Sequence, residues 1–177
     1  MYLNICLPIL CLLPVGMGHA QQLDLVTLDR RAEPIIAPAT NEAELALQII
    51  QSPKDLDVKL WAAEPMLANP VAIDTDEKGR VFTSETNRYG SSTLDIRDYM
   101  GMLELDLASR TIEDREALIH AVFEEEATQF TLEKEVIRIL EDTNGDGKAD
   151  SSKIFADDFD DQLDGVASGV LVRNGKV

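Results

Sequence analysis

Apolar and polar residues alternate most clearly from residue 57 onward. Val58, Leu60 and Ala62 interleave with Lys59, Trp61 and Ala63, which predicts a half-buried strand. Asn69-Pro70 breaks it. A second strand is expected over 71–73 and a third over 80–84. Between them Asp76-Glu77-Lys78-Gly79 has the composition of a hairpin turn. Strand character returns over 136–140, 153–156 and 169–173, and Asn174-Gly175 is a strong short turn signal. Helical spacing is confined to two places. Asn41 stands before Glu42, Glu44, Leu45, Leu47, Ile49 and Ile50, a short helix ending near Ser52-Pro53. Thr111, with Asp114 three residues on, starts a second helix whose apolar face would be Ala117, Leu118, Ala121 and Val122. Glu124-Glu125-Glu126 then reads as its solvated end. Residues 32–40 hold Pro34 and Pro38 and read as extended linker. Residues 86–110 read mainly as exposed loop, with an apolar stretch from Met100 to Leu107.

The first twenty residues fall outside this pattern. Residues 3–15 form an apolar run that contains two prolines, and Gly18-His19-Ala20 places small residues before Gln21. The run has signal-peptide length and is shorter than the span of about 20 residues a membrane helix needs. No Lys or Arg precedes it. The expected division is a signal peptide over 1–20, a linker and short helix over 21–56, and a β-rich domain over 57–177. The product would be periplasmic, extracellular or held at the cell envelope, with no transmembrane helix beyond the signal segment. Cys6 and Cys11 both lie in the leader. An exported chain therefore keeps no thiol, and His120 is its one histidine. Sites that need several histidines or cysteines cannot be assembled from it. His120 itself reads as a solvated helix residue.

Charge narrows the partners further. The 177 residues carry 16 Lys and Arg against 33 Asp and Glu, a net charge of −17. Phosphate binding needs a basic face, and aromatics at 5% leave little for base stacking. Nucleic acid is excluded as a partner on both grounds. At 45% apolar residues the chain can still bury a core.

One loop carries recognisable chemistry. Residues 141–164 hold nine acids and two lysines. Within them Asp142, Asn144, Asp146, Lys148 and Asp150 form the pattern DxNxDGxxD. Calcium takes six to eight oxygens. Alternate positions of a tight loop turn three side-chain oxygens inward, Gly147 permits the bend, the Lys148 carbonyl supplies another, and Asp150 completes the set directly or through water. Lys153 stands where an EF-hand has its bidentate Glu, and the flanks read as strands, so the loop is not an EF-hand. The alternative is an acidic hairpin loop with no ion. Asp157, Asp158, Asp160, Asp161 and Asp164 are further oxygen donors or simply solvated.

Lys78-Gly79-Arg80-Val81 and Asn174-Gly175-Lys176-Val177 repeat one device: a Gly turn, a basic residue, then Val. This suggests a repeated strand-turn-strand unit. The second copy ends at the start of its returning strand, as in the N-terminal piece of a longer protein with exposed edges and marginal stability alone. The segments NPVAIDTDEKGRVFTSET (69–86), SRTIEDR (109–115), IRILEDTNGDGKADSSKIFADDF (137–159) and LDGVASGVLVRNGKV (163–177) resemble the N-terminal part of large exported planctomycete-type proteins. These are membrane-bound dehydrogenase-domain or haem-binding (CxxCH) proteins, whose propeller is similar to the glucose/sorbosone dehydrogenases. The resemblance implies a mainly β fold: the first blades of a β-propeller with a short inserted helix. It implies oxidation of a sugar or alcohol by the whole protein, with electrons passed to a c-type haem domain. Haem or a quinone would belong to parts beyond this chain, and no catalytic residue can be placed by matching. Glu85 and Arg88 either face a propeller funnel or form a surface ion pair. The rival expectation is a non-catalytic, calcium-stabilised propeller that binds carbohydrate or protein at the cell surface.

Overall fold

The computed structural model describes residues 35–177. The expected signal peptide and the start of the linker lie outside the described residues. Four strands form one antiparallel sheet in the sequential order β1 (Pro70–Thr75), β2 (Val81–Glu85), β3 (Glu135–Glu141) and β4 (Ser151–Phe159). The sheet does not close into a propeller. Preceding it is α1 (Glu42–Ile49). Between β2 and β3 come a 3-10 helix (Ile96–Met102), α2 (Leu103–Ala108), α3 (Ile112–Phe123) and a second 3-10 helix (Glu124–Thr131). The architecture is an antiparallel sheet with a helical insertion. Helical residues outnumber strand residues, so the mainly β expectation with one short inserted helix understated the insertion.

The β1–β2 hairpin forms at the expected turn. The Asp76 amide donates to the Arg80 carbonyl at 3.1 Å, and Gly79 takes a positive φ of 78°, which suits a residue without Cβ. Register places Thr83 opposite Arg138 and Val81 opposite Leu140. One sheet face therefore carries Val81, Thr83 and Glu85 beside Leu140, Arg138 and Val136. The other carries Phe82 and Ser84 beside Ile139 and Ile137.

Two expected strands are corrected. Residues 58–63 stay extended but join no ladder. The chain lies across the first sheet face, tied by the Ala149 amide to the Trp61 carbonyl at 2.8 Å and by the Ser152 hydroxyl to the Met66 carbonyl at 2.5 Å. Residues 169–173 likewise form only a single bridge, Arg173 to Lys176. Val172 is buried with Phe82 and Ile137, with Val170 packed alongside, and its amide donates to Asp74 Oδ2 at 2.7 Å. In both segments the alternation reflects a buried side facing the sheet, while the backbone bonds go elsewhere.

The insertion has its own apolar cluster of Met102, Ile119, Phe123, Ala127 and Phe130. Phe123 meets Tyr99 and Phe130 edge to face, with ring centroids 4.8 and 5.0 Å apart. Thr111 and Asp114 form the expected capping box. The buried face of α3 is Ile119 and Phe123, with Leu118 beside them. Ala117, Ala121 and Val122 face solvent, contrary to expectation. His120 and Glu124–Glu126 are exposed, as expected. The supposed loop 86–110 contains two short helices and buries Arg88 and Ser92 completely.

Candidate functional site

The acidic loop joins β3 to β4. Asp142 Oδ1 accepts from the amides of Gly145 (2.7 Å) and Asp146 (3.2 Å), and its Oδ2 from Gly147 (2.8 Å). Asn144 Oδ1 accepts from the Asp146 amide, and Asp146 Oδ1 from the Lys148 amide, both at 2.9 Å. Gly145 and Gly147 have φ of 78° and 88°, which lets the chain wind tightly around Asp142. The loop thus brings Asp142, Asn144 and Asp146 together around the amides of 145–148. Asp150 is turned away. Its carboxylate accepts from the Thr143 amide (3.0 Å) and hydroxyl (2.9 Å), and the amide foremost, then the hydroxyl, holds its pKa below the ordinary 3.8. No group of three or more His, Cys, Asp or Glu among the described residues is gathered closely enough to hold a metal ion. Oxygen capacity nevertheless remains. A carboxylate has about four acceptor positions, and Asp146 uses one of them on an amide.

A second polar assembly lies inside the protein, where β2 ends and β3 begins. Glu85 and Arg138 sit on one sheet face under the 58–68 segment. They form a two-pronged ion pair, Nε to Oε1 at 2.7 Å and Nη2 to Oε2 at 3.0 Å. Both are buried. Glu85 also accepts from the Ala68 amide at 3.2 Å. On the opposite face Glu135 is buried. Its Oε1 accepts from the Thr86 hydroxyl (3.2 Å) and the amides of Asn87 (3.0 Å) and Arg88 (2.7 Å). Its Oε2 accepts from the Ala167 amide at 2.6 Å. The expected surface ion pair of Glu85 with Arg88 is therefore not formed. Each is buried with other partners.

Arg88 clamps four carbonyls. Nη1 donates to Phe159 at 3.0 Å, and Nη2 donates to Ser92 (3.1 Å), Phe130 (2.8 Å) and Asp161 (2.8 Å). Asp164 Oδ2 stands 3.8 Å from Nη1. One guanidinium thus ties the end of β4 and the end of the helical insertion to β2, using the fixed fork of donors that Arg supplies. Beside it, Glu133 is buried against Ser92, accepting from the Ser92 hydroxyl. A cleft of about 240 Å³ opens next to this assembly, lined by Glu135, Ile137, Phe159, Asp164, Val166 and Ala167 among others.

The family model described as a domain of unknown function (DUF7133) matches residues 42–176. The chain belongs to this family. The matched span begins at the first residue of α1 and ends at the Arg173–Lys176 turn. The DUF7133 domain thus takes in the sheet, the helical insertion and both segments laid across the sheet faces. No curated protein and no solved structure matches the chain.

Sequence reasoning missed the internal assembly of this DUF7133 domain. A signal was present. Arg138 alternates with Val136 and Leu140 in an otherwise apolar strand, so it points to the same covered face as they do. A charge on that face requires a buried partner, and Glu85 is the acid on the neighbouring strand.

Proposed function

We propose that this domain is one blade of an exported, propeller-type protein similar to the glucose/sorbosone dehydrogenases. In its whole form that protein would oxidise a sugar or alcohol and pass the electrons to a c-type haem domain. The observation that carries the reading is the strand order. Four antiparallel strands joined as β1-β2-β3-β4 are the unit from which propellers are built by radial repetition. The exposed apolar residues Val71 and Ile73 on the edge strand β1 fit a sheet with further neighbours. The oxidative activity rests on the resemblance of the four sequence segments, which is an argument by analogy. Loop 142–150 is assigned to calcium in a structural role, supported by its spacing and by the oxygen capacity left on Asp142, Asn144 and Asp146.

The test uses the whole protein purified from the envelope fraction. It is incubated with a panel of aldoses and alcohols and an artificial electron acceptor, while haem absorbance is followed. Substrate-dependent dye and haem reduction supports the proposal. No reduction with any substrate, together with retention on a carbohydrate matrix, replaces it with the non-catalytic binding propeller. Mass spectrometry of the same sample should find the mature N-terminus at Gln21, and an intact Met1 on cytosolic protein would overturn export.

A further inference from the structure

We infer that the groove between α1, residues 58–67 and the first sheet face binds a small uncharged molecule with an aromatic body and one hydrogen-bonding group. The groove has a volume of about 430 Å³, within the range of small-molecule sites. Leu60, Trp61, Leu67, Ile73, Val81 and Leu140 supply much of its wall. Its polar lining residues are Thr83 and Lys59, and the Lys59 ammonium is paired with Asp57 at 3.1 Å. Thr83 is 1% exposed, and its hydroxyl has no hydrogen-bond partner.

A buried hydroxyl without a partner is unfavourable, and a ligand that supplies one recovers that loss. Water fits poorly, because a buried water needs two to four polar partners. A second observation points the same way. Helix α1 buries none of its residues, although Ala46 and Leu47 line the groove. An eight-residue helix is marginal by itself and needs its apolar side covered. Charge complementarity selects the ligand class. Lys59 is already neutralised, and a chain of net charge −17 disfavours anions. An apolar wall gives an organic cation no partner either. The hydroxyl both donates and accepts, so an aromatic amine or phenol fits.

The probe is N-phenylnaphthylamine, uncharged and fused-aromatic with a single N–H. Trp61 is the protein's one tryptophan and lines the groove, so binding is read as saturable energy transfer from Trp61 to the probe. Ala46→Phe, on the helix that buries nothing, should fill the groove and abolish the transfer without loss of fold. Thr83→Val should weaken binding roughly threefold to tenfold, the worth of one hydrogen bond, and should leave the ligand-free melting temperature unchanged or higher. The N-methylated probe, which has no N–H, should bind the parent protein as weakly as N-phenylnaphthylamine binds Thr83→Val. That comparison stands even where Thr83→Val fails to fold. Absence of saturable transfer would overturn the site, as would Ala46→Phe binding as well as the parent. Equal affinity for the two probes would overturn the role of Thr83.

Discussion

Replacing Arg138 by Met should destabilise the protein by about 3–5 kcal/mol, the usual cost of leaving one member of a buried ion pair alone. The magnitude follows from how little would remain around Glu85. The guanidinium makes two charge-assisted bonds to it, at 2.7 and 3.0 Å, and Glu85 is fully buried. After Arg138→Met the carboxylate would keep only the Ala68 amide at 3.2 Å. Glu85→Met should be similarly costly, since Arg138 would retain one 3.5 Å contact with Ser152. The double variant removes both charges and should return to within about 1 kcal/mol of the parent or exceed it, because apolar residues can replace a buried pair without loss. The assay is urea unfolding followed by Trp61 fluorescence. With a slope of about 2 kcal/mol per molar, each single variant should move the midpoint down by roughly 1.5–2.5 M, and the double variant by less than about 0.5 M. A double variant as unstable as the two single losses added together would refute the reasoning. It would mean that Glu85 and Arg138 act through separate contacts rather than on each other.

Three further outcomes are expected. Calcium at about ten times its Kd should stabilise the protein by about 1.4 kcal/mol, and Asp146→Ala should remove that gain while Asp158→Ala keeps it; titration calorimetry and melting with chelator check this, and chelator sensitivity unchanged in Asp146→Ala would leave an ion-free acidic loop. Thr111→Ala should cost about 1 kcal/mol, because its hydroxyl accepts from the Asp114 amide at 3.0 Å; thermal melts that coincide with the parent would show that the capping box contributes nothing. Acid should loosen residues 170–174 early. The Val172 amide holds Asp74 below its ordinary 3.8, and the Asn174 amide holds Glu77 below 4.5. These folded-state pKa values lie below the unfolded ones, so the unfolded chain takes up more protons and the stabilisation is lost as pH falls below that range. Limited proteolysis near the C-terminus at pH 3 and pH 6 reads the effect, and equal cleavage at both would contradict it.

Much of the sheet was legible in the sequence because each of its strands carries its own local signal. The turn at 76–79, the short run at 136–140 and the Thr111 cap all formed where the residues placed them. Residues 58–62 and 169–173 were misread for one reason. Period two reports which side chains are covered, and it does so equally for a strand and for an extended segment resting on a sheet. The face of α3 was misjudged because Ala117 and Ala121 fit a helical stripe as well as Ile119 and Phe123 do. Only contact with Met102 and Phe130 decides between them. Arg88 was illegible in principle. Its neighbours Asn87, Tyr89, Gly90 and Ser91 have loop composition, and the carbonyls that hold it come from residues 92, 130, 159 and 161. For the acidic loop, the bend was legible from the glycines, whereas the turning of Asp150 onto Thr143 depends on how the mouth of the hairpin closes.

Placing the helical insertion between β2 and β3 also orders the assembly of the sheet in time. β1 with β2, and β3 with β4, are short-range hairpins that can close within microseconds. The β2–β3 seam must instead bring together strands roughly 50 residues apart. Relative to a five-residue turn, this closure costs about 2 kcal/mol more in chain entropy. Folding the insertion around Met102, Phe123 and Phe130 first would shorten that distance, and the Arg88 guanidinium, which reaches Phe130 and Phe159 together, can latch only once the seam has met. The sheet is therefore two hairpins zipped by their middle, and the slow step of its formation lies in the one pairing that its sequential strand order makes look simplest.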